Sequence, residues 1–180
     1  MKSIDQLIEE LIGREGGYAN DPRDAGGETK YGITEAVARA HGYGGAMTDL
    51  PRETAAAIYK RIYWTRPGFD KVAEIAPDVA TELFDTGVNM GPMVAAGWLQ
   101  RSLNALNEGG QDYPDVDEDG RIGPATLAAL QGYRKRRGLA GWRVLLLALN
   151  ALQGAQYINL AKRKANEAFV YGWLANRVGL

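Results

Sequence analysis

The sequence predicts a mainly α domain with one small irregular or β-hairpin element near its N-terminus. Apolar residues recur at helical spacing over most of the chain, and prolines stand where several of these periodic segments begin. Nine of the 23 glycines fall in the first 45 residues, and helical periodicity fails within that stretch. With 180 residues, 46% hydrophobic and 24% charged, the chain has ordinary globular usage and the length of one domain with a real core.

Element by element, Ser3 is a plausible N-cap for a first helix in which Ile4, Leu7, Ile8, Leu11 and Ile12 share a face, ending at Glu15-Gly16-Gly17. Tyr18 to Thr34 reads as a loop or small hairpin with its bend near Gly26-Gly27. Thr34 then caps a short helix to His41, whose imidazole serves the helix C-terminus. Pro51 is expected at N1 of a helix running to about Tyr63. Beyond Pro67, helices are expected over 78–90, 92–107, 124–137, 142–165 and 167–177. The fourth of these contains VLLLALNAL and is apolar nearly all round, so it should be the buried centre. No stretch approaches the roughly 20 apolar residues that span a bilayer.

Composition narrows the chemistry. The chain has no cysteine and one histidine, His41, which removes disulfides, thiolate metal sites, cysteine nucleophiles and histidine-rich metal centres. If it is an enzyme, carboxylates do the work. Asp115, Asp117, Asp119 and Gly120 begin like an EF-hand loop, but Thr126 stands where the closing bidentate glutamate belongs, so a surface turn is expected and no metal. No cofactor is expected either.

Glu15 is the most suggestive carboxylate. It ends a helix, where the macrodipole is negative and favours the protonated form that a general acid needs. Asp21, Asp24 and Glu28 follow within 13 positions, and glycosidic hydrolysis commonly uses a second carboxylate. Each of the three also has an ordinary reading as a turn or capping residue. Asp85 and Asn89, four apart, share a helix face and suit either a cleft or a hydrogen-bond network. Tyr31, Tyr59, Tyr63 and Trp64 suit sugar stacking or core packing.

The string EGGYANDPRDAGGETKYGIT (Glu15 to Thr34) resembles the N-terminal signature of glycoside hydrolase family 108, the N-acetylmuramidases found as phage endolysins and export-linked muramidases. IYKRIYW (58–64), LFDTGVNMGP (83–92), LQRSLNAL (99–106), DGRIGPATLAAL (119–130) and FVYGW (169–173) fit the same family in order. The resemblance implies a single lysozyme-like domain over 1–180, catalytic in 1–90 and helical and peptidoglycan-binding in 91–180. It also implies cleavage of the β-1,4 bond between N-acetylmuramic acid and N-acetylglucosamine, with Glu15 as the catalytic acid. Asp24 and Thr29 resemble the second and third members of the phage-lysozyme Glu, Asp, Thr arrangement, although four residues separate them here and five in that pattern. Tyr31, Asp85, Asn89, Tyr63 and Trp64 take substrate-binding roles in this reading. A lytic transglycosylase and a non-catalytic wall-binding or export-accessory protein are the alternatives.

Peptidoglycan glycan strands are therefore the expected partner. Residues 1–130 carry 12 Lys and Arg against 21 Asp and Glu, and residues 131–180 carry 9 against 1, so the C-terminal third is basic. Arg134, Lys135, Arg136, Arg137, Lys162, Arg163 and Lys164 form two clusters suited to anionic wall polymers or lipid headgroups. No nucleic-acid-binding motif accompanies them. The first residues lack an apolar signal region, which gives the expectation of cytoplasmic synthesis and action in the periplasm or wall after holin-type or other export.

Overall fold

A computed structural model describes residues 2–20 and 27–178, and of Glu15 the backbone alone. The architecture is mainly α with a small antiparallel sheet near the N-terminus, in line with the sequence. The chain divides into two compact units, Met1–Arg66 and Pro67–Leu180.

In the first unit, α1 (Ile4–Glu15) starts in a capping box: Gln6 N donates to Ser3 Oγ at 3.2 Å and Ser3 N to Gln6 Oε1 at 2.8 Å. Ile8 and Ile12 are buried on its inner face, and Gly16, with φ 83°, ends it. A three-stranded sheet follows, β1 (Tyr18–Ala19), β2 (Thr29–Lys30) and β3 (Ile33–Thr34), in the order β1-β2-β3. Tyr18 pairs with Lys30, and Lys30 with Ile33. Part of the expected bend at Gly26-Gly27 lies outside the described residues. A second bend, at Tyr31-Gly32, has φ of 55° and 74°, the paired positive values of a two-residue hairpin turn whose twist matches its strands.

Thr34 caps α2 (Glu35–Ala40), and His41 closes it with Nδ1 2.9 Å from Val37 O. Helix α3 (Arg52–Lys60) continues into a π-helical turn, Arg61–Thr65. Pro51 is its N-cap and not its N1 residue, since its ψ of 143° is still extended. Arg52 reaches Glu9 at 2.7 Å and Lys60 reaches Asp5 at 2.8 Å, so α3 runs antiparallel to α1.

The second unit contains α4 (Phe69–Ala73), α5 (Pro77–Met90), α6 (Pro92–Ala105), α7 (Pro124–Leu160) and α8 (Glu167–Arg177). Phe69, Val79, Leu83, Leu99, Leu103, Leu130 and Leu145 form its core. Gly87 lets the Phe69 ring approach α5, because a Cβ there would stand 3.2 Å from it. Helix α7 is two helices joined at Gly138 (φ 64°, ψ -162°), where the sequence places a break between 137 and 142. Tyr133 bridges that break by donating its hydroxyl to Gly141 O at 2.6 Å.

The second half of α7 corrects one expectation. It ends at Leu160, and only one face of it is buried, through Leu145, Leu149, Gln153 and Tyr157. Val144, Leu147 and Ile158 are 47%, 41% and 62% exposed, with Ala140, Ala151 and Ala155 also outward. The all-round apolar character therefore reflects one packed stripe and one solvent-facing stripe, two states that composition alone does not separate.

Candidate functional site

Glu15 stands at the last position of α1, immediately before the left-handed Gly16. Asp21 and Asp24 lie outside the described residues. Glu28 and Thr29 are half-buried at the start of β2, where Glu28 O accepts from Glu35 N at 2.8 Å and Thr29 Oγ1 donates to Gly27 O at 3.4 Å. The Glu28 carbonyl thus ties the start of β2 to α2.

Tyr31 occupies a left-handed conformation that a bulky residue rarely adopts, so something must hold it. Tyr59 donates its hydroxyl to Tyr31 O at 3.1 Å, and Lys30 and Arg52 place their charges 5.3 and 5.8 Å from the Tyr31 ring centre. Tyr63 stacks on Tyr59 with ring centres 5.8 Å apart, and it and Trp64 are half-buried in the π-helical turn. Four of the sequence-selected residues of the first unit, Thr29, Tyr31, Tyr63 and Trp64, therefore sit on the sheet or the helix that braces its turn.

In the second unit, Asp85 and Asn89 do come together. Asn89 Nδ2 donates to Asp85 O at 2.8 Å and lies 3.5 Å from Asp85 Oδ2, while Asp85 Oδ1 pairs with Arg177 of α8 at 2.9 Å. The pair belongs to a polar cluster across α5, α7 and α8. Gln153, buried in α7, donates to Thr86 Oγ1 at 3.1 Å. Glu82 stands one turn before Thr86, and burial, reinforced by the Asp85 charge and partly offset by the Thr86 hydroxyl, pushes its carboxyl up to about 7. Burial likewise pushes the Tyr157 phenol up to about 12. Glu82 Oε1, Gln153 Oε1 and the Tyr157 hydroxyl are buried without a hydrogen-bond partner. Sequence reasoning passed over Glu82 and Arg177, because the signal is an i, i+3, i+4 pattern in Glu82, Asp85 and Thr86 that acquires meaning only through helices distant in sequence.

The 106–123 loop is clasped by one buried side chain that sequence reasoning also missed. Gln100 Nε2 faces Asp119 Oδ1, Arg121 O and Thr126 Oγ1 at 2.8, 2.9 and 3.2 Å, and Gln100 Oε1 accepts from Gly120 N at 2.8 Å. Gly120 has φ 72°, and a Cβ there would stand 2.6 Å from Met93 O. These bonds hold the Asp119 carboxyl below the usual carboxylate range. Asp115 Oδ1 accepts from Asn107 Nδ2 at 2.6 Å. The loop is a turn leading into α7, and among the described residues no group of three or more His, Asp or Glu is placed to hold a metal ion.

The basic clusters are solvent-exposed, but not all of their charges are free. Arg136 pairs with Asp112 at 2.7 Å, and Arg137 with Glu108 at 2.7 Å and Asp112 at 3.0 Å. Among the described residues no helix is long and apolar enough to cross a membrane.

Residues 8–91 match the family described as Glycosyl hydrolase 108, and residues 94–178 match the family described as Predicted Peptidoglycan domain. Among solved structures, SagA of Brucella abortus is 27% identical with a TM-score of 0.63, covering 96% of this chain and 87% of that one. No curated protein matches the chain.

Proposed function

Because the chain belongs to the glycosyl hydrolase 108 family and is a peptidoglycan hydrolase of the N-acetylmuramidase type, with a lysozyme-like, mainly α fold, we propose that Glu15 is its general acid. The supporting observation is that the family match over residues 8–91 takes in the EGGY segment that closes the first helix. Glu15 stands at the negative end of the α1 macrodipole, which favours a carboxyl that keeps its proton until the glycosidic oxygen takes it. Asp24 is the second group, positioning water or stabilising the oxocarbenium-like state, and Thr29 supports it. Tyr31, Tyr63, Trp64, Asp85 and Asn89 are the substrate-binding residues of this reading. No organic or metal cofactor takes part in these steps.

The peptidoglycan domain of residues 94–178 holds wall polymer, and the free cations of the basic third add attraction for anionic wall polymers or headgroups. Action is in the periplasm or wall, where the substrate lies, after a holin-type or other export route. The test is mass spectrometry of digested wall together with a zymogram. A hydrolase gives fragments that have gained one water, and Glu15→Gln gives no clearing. Anhydro products would overturn the hydrolytic mechanism, and clearing by the variant would overturn the role of Glu15.

A further inference from the structure

The N-terminal half of α5 and the middle of α7 leave an open groove of about 460 Å³, within the size range of small-ligand sites. Asp78 and Glu82 line it from α5, Arg143 and Asn150 from α7, and Leu146 and Leu147 supply its apolar part. Among the described residues, the two carboxylates and the guanidinium form no ion pair with one another although they share the groove. Glu82 Oε1 is buried and accepts no hydrogen bond. A donor brought into the groove would satisfy it.

The mixture of charges selects among occupants. A neutral sugar makes no use of fixed charges of both signs, and a polyanion meets two carboxylates. An apolar helix laid here would desolvate three charges without pairing them, a costly arrangement. What fits is a ligand carrying an ammonium, a carboxylate and short aliphatic groups between them. The peptide stems of peptidoglycan have this chemistry. We propose that the α5–α7 groove binds the peptide stem, its ammonium at Asp78 and Glu82, its carboxylate on Arg143 and its methyl groups against Leu146 and Leu147. A guanidinium takes a carboxylate in a two-bond fork, which fixes the direction in which the stem lies.

This inference rests on the peptidoglycan reading and deepens it, since it makes recognition of the stem separate from cleavage of the glycan. The test titrates the full chain with N-acetylmuramyl tetrapeptide bearing a free side-chain amine, and with N-acetylmuramic acid alone, following backbone amides by NMR. The tetrapeptide ligand should bind and move amides of α5 and α7, whereas the bare sugar should leave them in place. Arg143→Glu, an exposed substitution, should weaken tetrapeptide binding at least about tenfold, the loss of one charge-assisted contact. The same variant should hydrolyse glycan stripped of its peptides at the parent rate. Equal affinity for the two ligands, or unchanged binding by Arg143→Glu, overturns the inference. Failure to cut either stripped or intact glycan would count against the hydrolase reading and leave stem binding to stand or fall on the titration.

Discussion

The segment from Gly27 to Thr34 and the segment from Glu82 to Asn89 both carry polar residues in a mainly apolar fold, and they are held in different ways. In the first, short-range links predominate, the Thr29 bond to Gly27 and the two-residue turn at Tyr31-Gly32, with one remote bond from Tyr59 to the Tyr31 carbonyl. In the second, Asn89 bonds Asp85 within the segment, but the links that anchor it are remote, Thr86 to Gln153 of α7 and Asp85 to Arg177 of α8. A locally built segment displays its chemistry as a motif. A segment built by tertiary contacts has residues whose roles depend on what the rest of the unit brings to them.

The largest expected effect separates the two regions by function. Glu15→Gln should lower wall hydrolysis by at least about 100-fold, the usual contribution of a general acid, with the urea unfolding midpoint unchanged. Asp85→Asn should act chiefly on stability, costing about 1 kcal/mol by loosening a half-exposed pair with Arg177, with a loss of wall hydrolysis far smaller than that of Glu15→Gln. If Asp85→Asn removes activity without touching stability, the α5 cluster belongs to the catalytic machinery and the contrast fails.

A second test concerns the clasp on the 106–123 loop. Gln100→Ala strands the acceptors on Asp119, Arg121 and Thr126 and the Gly120 amide, so a cost of roughly 3 kcal/mol is expected in urea unfolding. A cost below about 1 kcal/mol would mean that the loop is held by its own turns.

Glu82 offers a test with a pH signature. Its folded carboxyl is raised from 4.5 to about 7, so its contribution to stability is complete below pH 4.5 and is lost as pH rises towards 7. Glu82→Gln keeps the shape without the charge and should match the parent at pH 4. Above pH 7 it should be more stable by about 3 kcal/mol, the order of the shift converted to free energy. A pH-independent difference would place Glu82 in a solvated setting, and its partnerless oxygen would then lose its meaning.

The sequence was legible where one residue decides a local outcome. The Ser3 and Thr34 caps and the prolines at the starts of α6 and α7 each act through backbone groups within a turn, and their helices begin where expected. The Gly138 break was legible too, since glycine alone adopts that backbone angle without strain. The Tyr31-Gly32 turn was not, because a tyrosine in the left-handed region is held by a tertiary bond from Tyr59. Nor was the exposed apolar stripe of α7, whose residues match in type those that α7 buries. At the candidate site, Glu15 and its glycines were visible as a motif, whereas Gln100 and Arg177 became distinctive only through partners 19 to 92 positions away, and Glu82 only through its burial.

The smallest expected effect concerns charges that neither region commits to a partner. Arg136 and Arg137 are already engaged by Asp112 and Glu108, so reversing them would disturb the fold as well as the surface field. Arg134, Lys135, Lys162, Arg163 and Lys164 are exposed and without an ion pair among the described residues, and they isolate the surface effect. Attraction of such charges to anionic wall polymer acts through solvent, where the screening length falls from about 10 Å at 0.1 M salt to about 3 Å at 1 M. Sedimentation with intact wall should therefore weaken several-fold over that range. Reversal of the five residues to glutamate should reduce wall binding by a similar factor while turnover on a short soluble glycan stays constant. Binding that ignores both salt and reversal would mean that the basic third is a solvated face, with attachment carried by the peptidoglycan domain through short-range contacts alone.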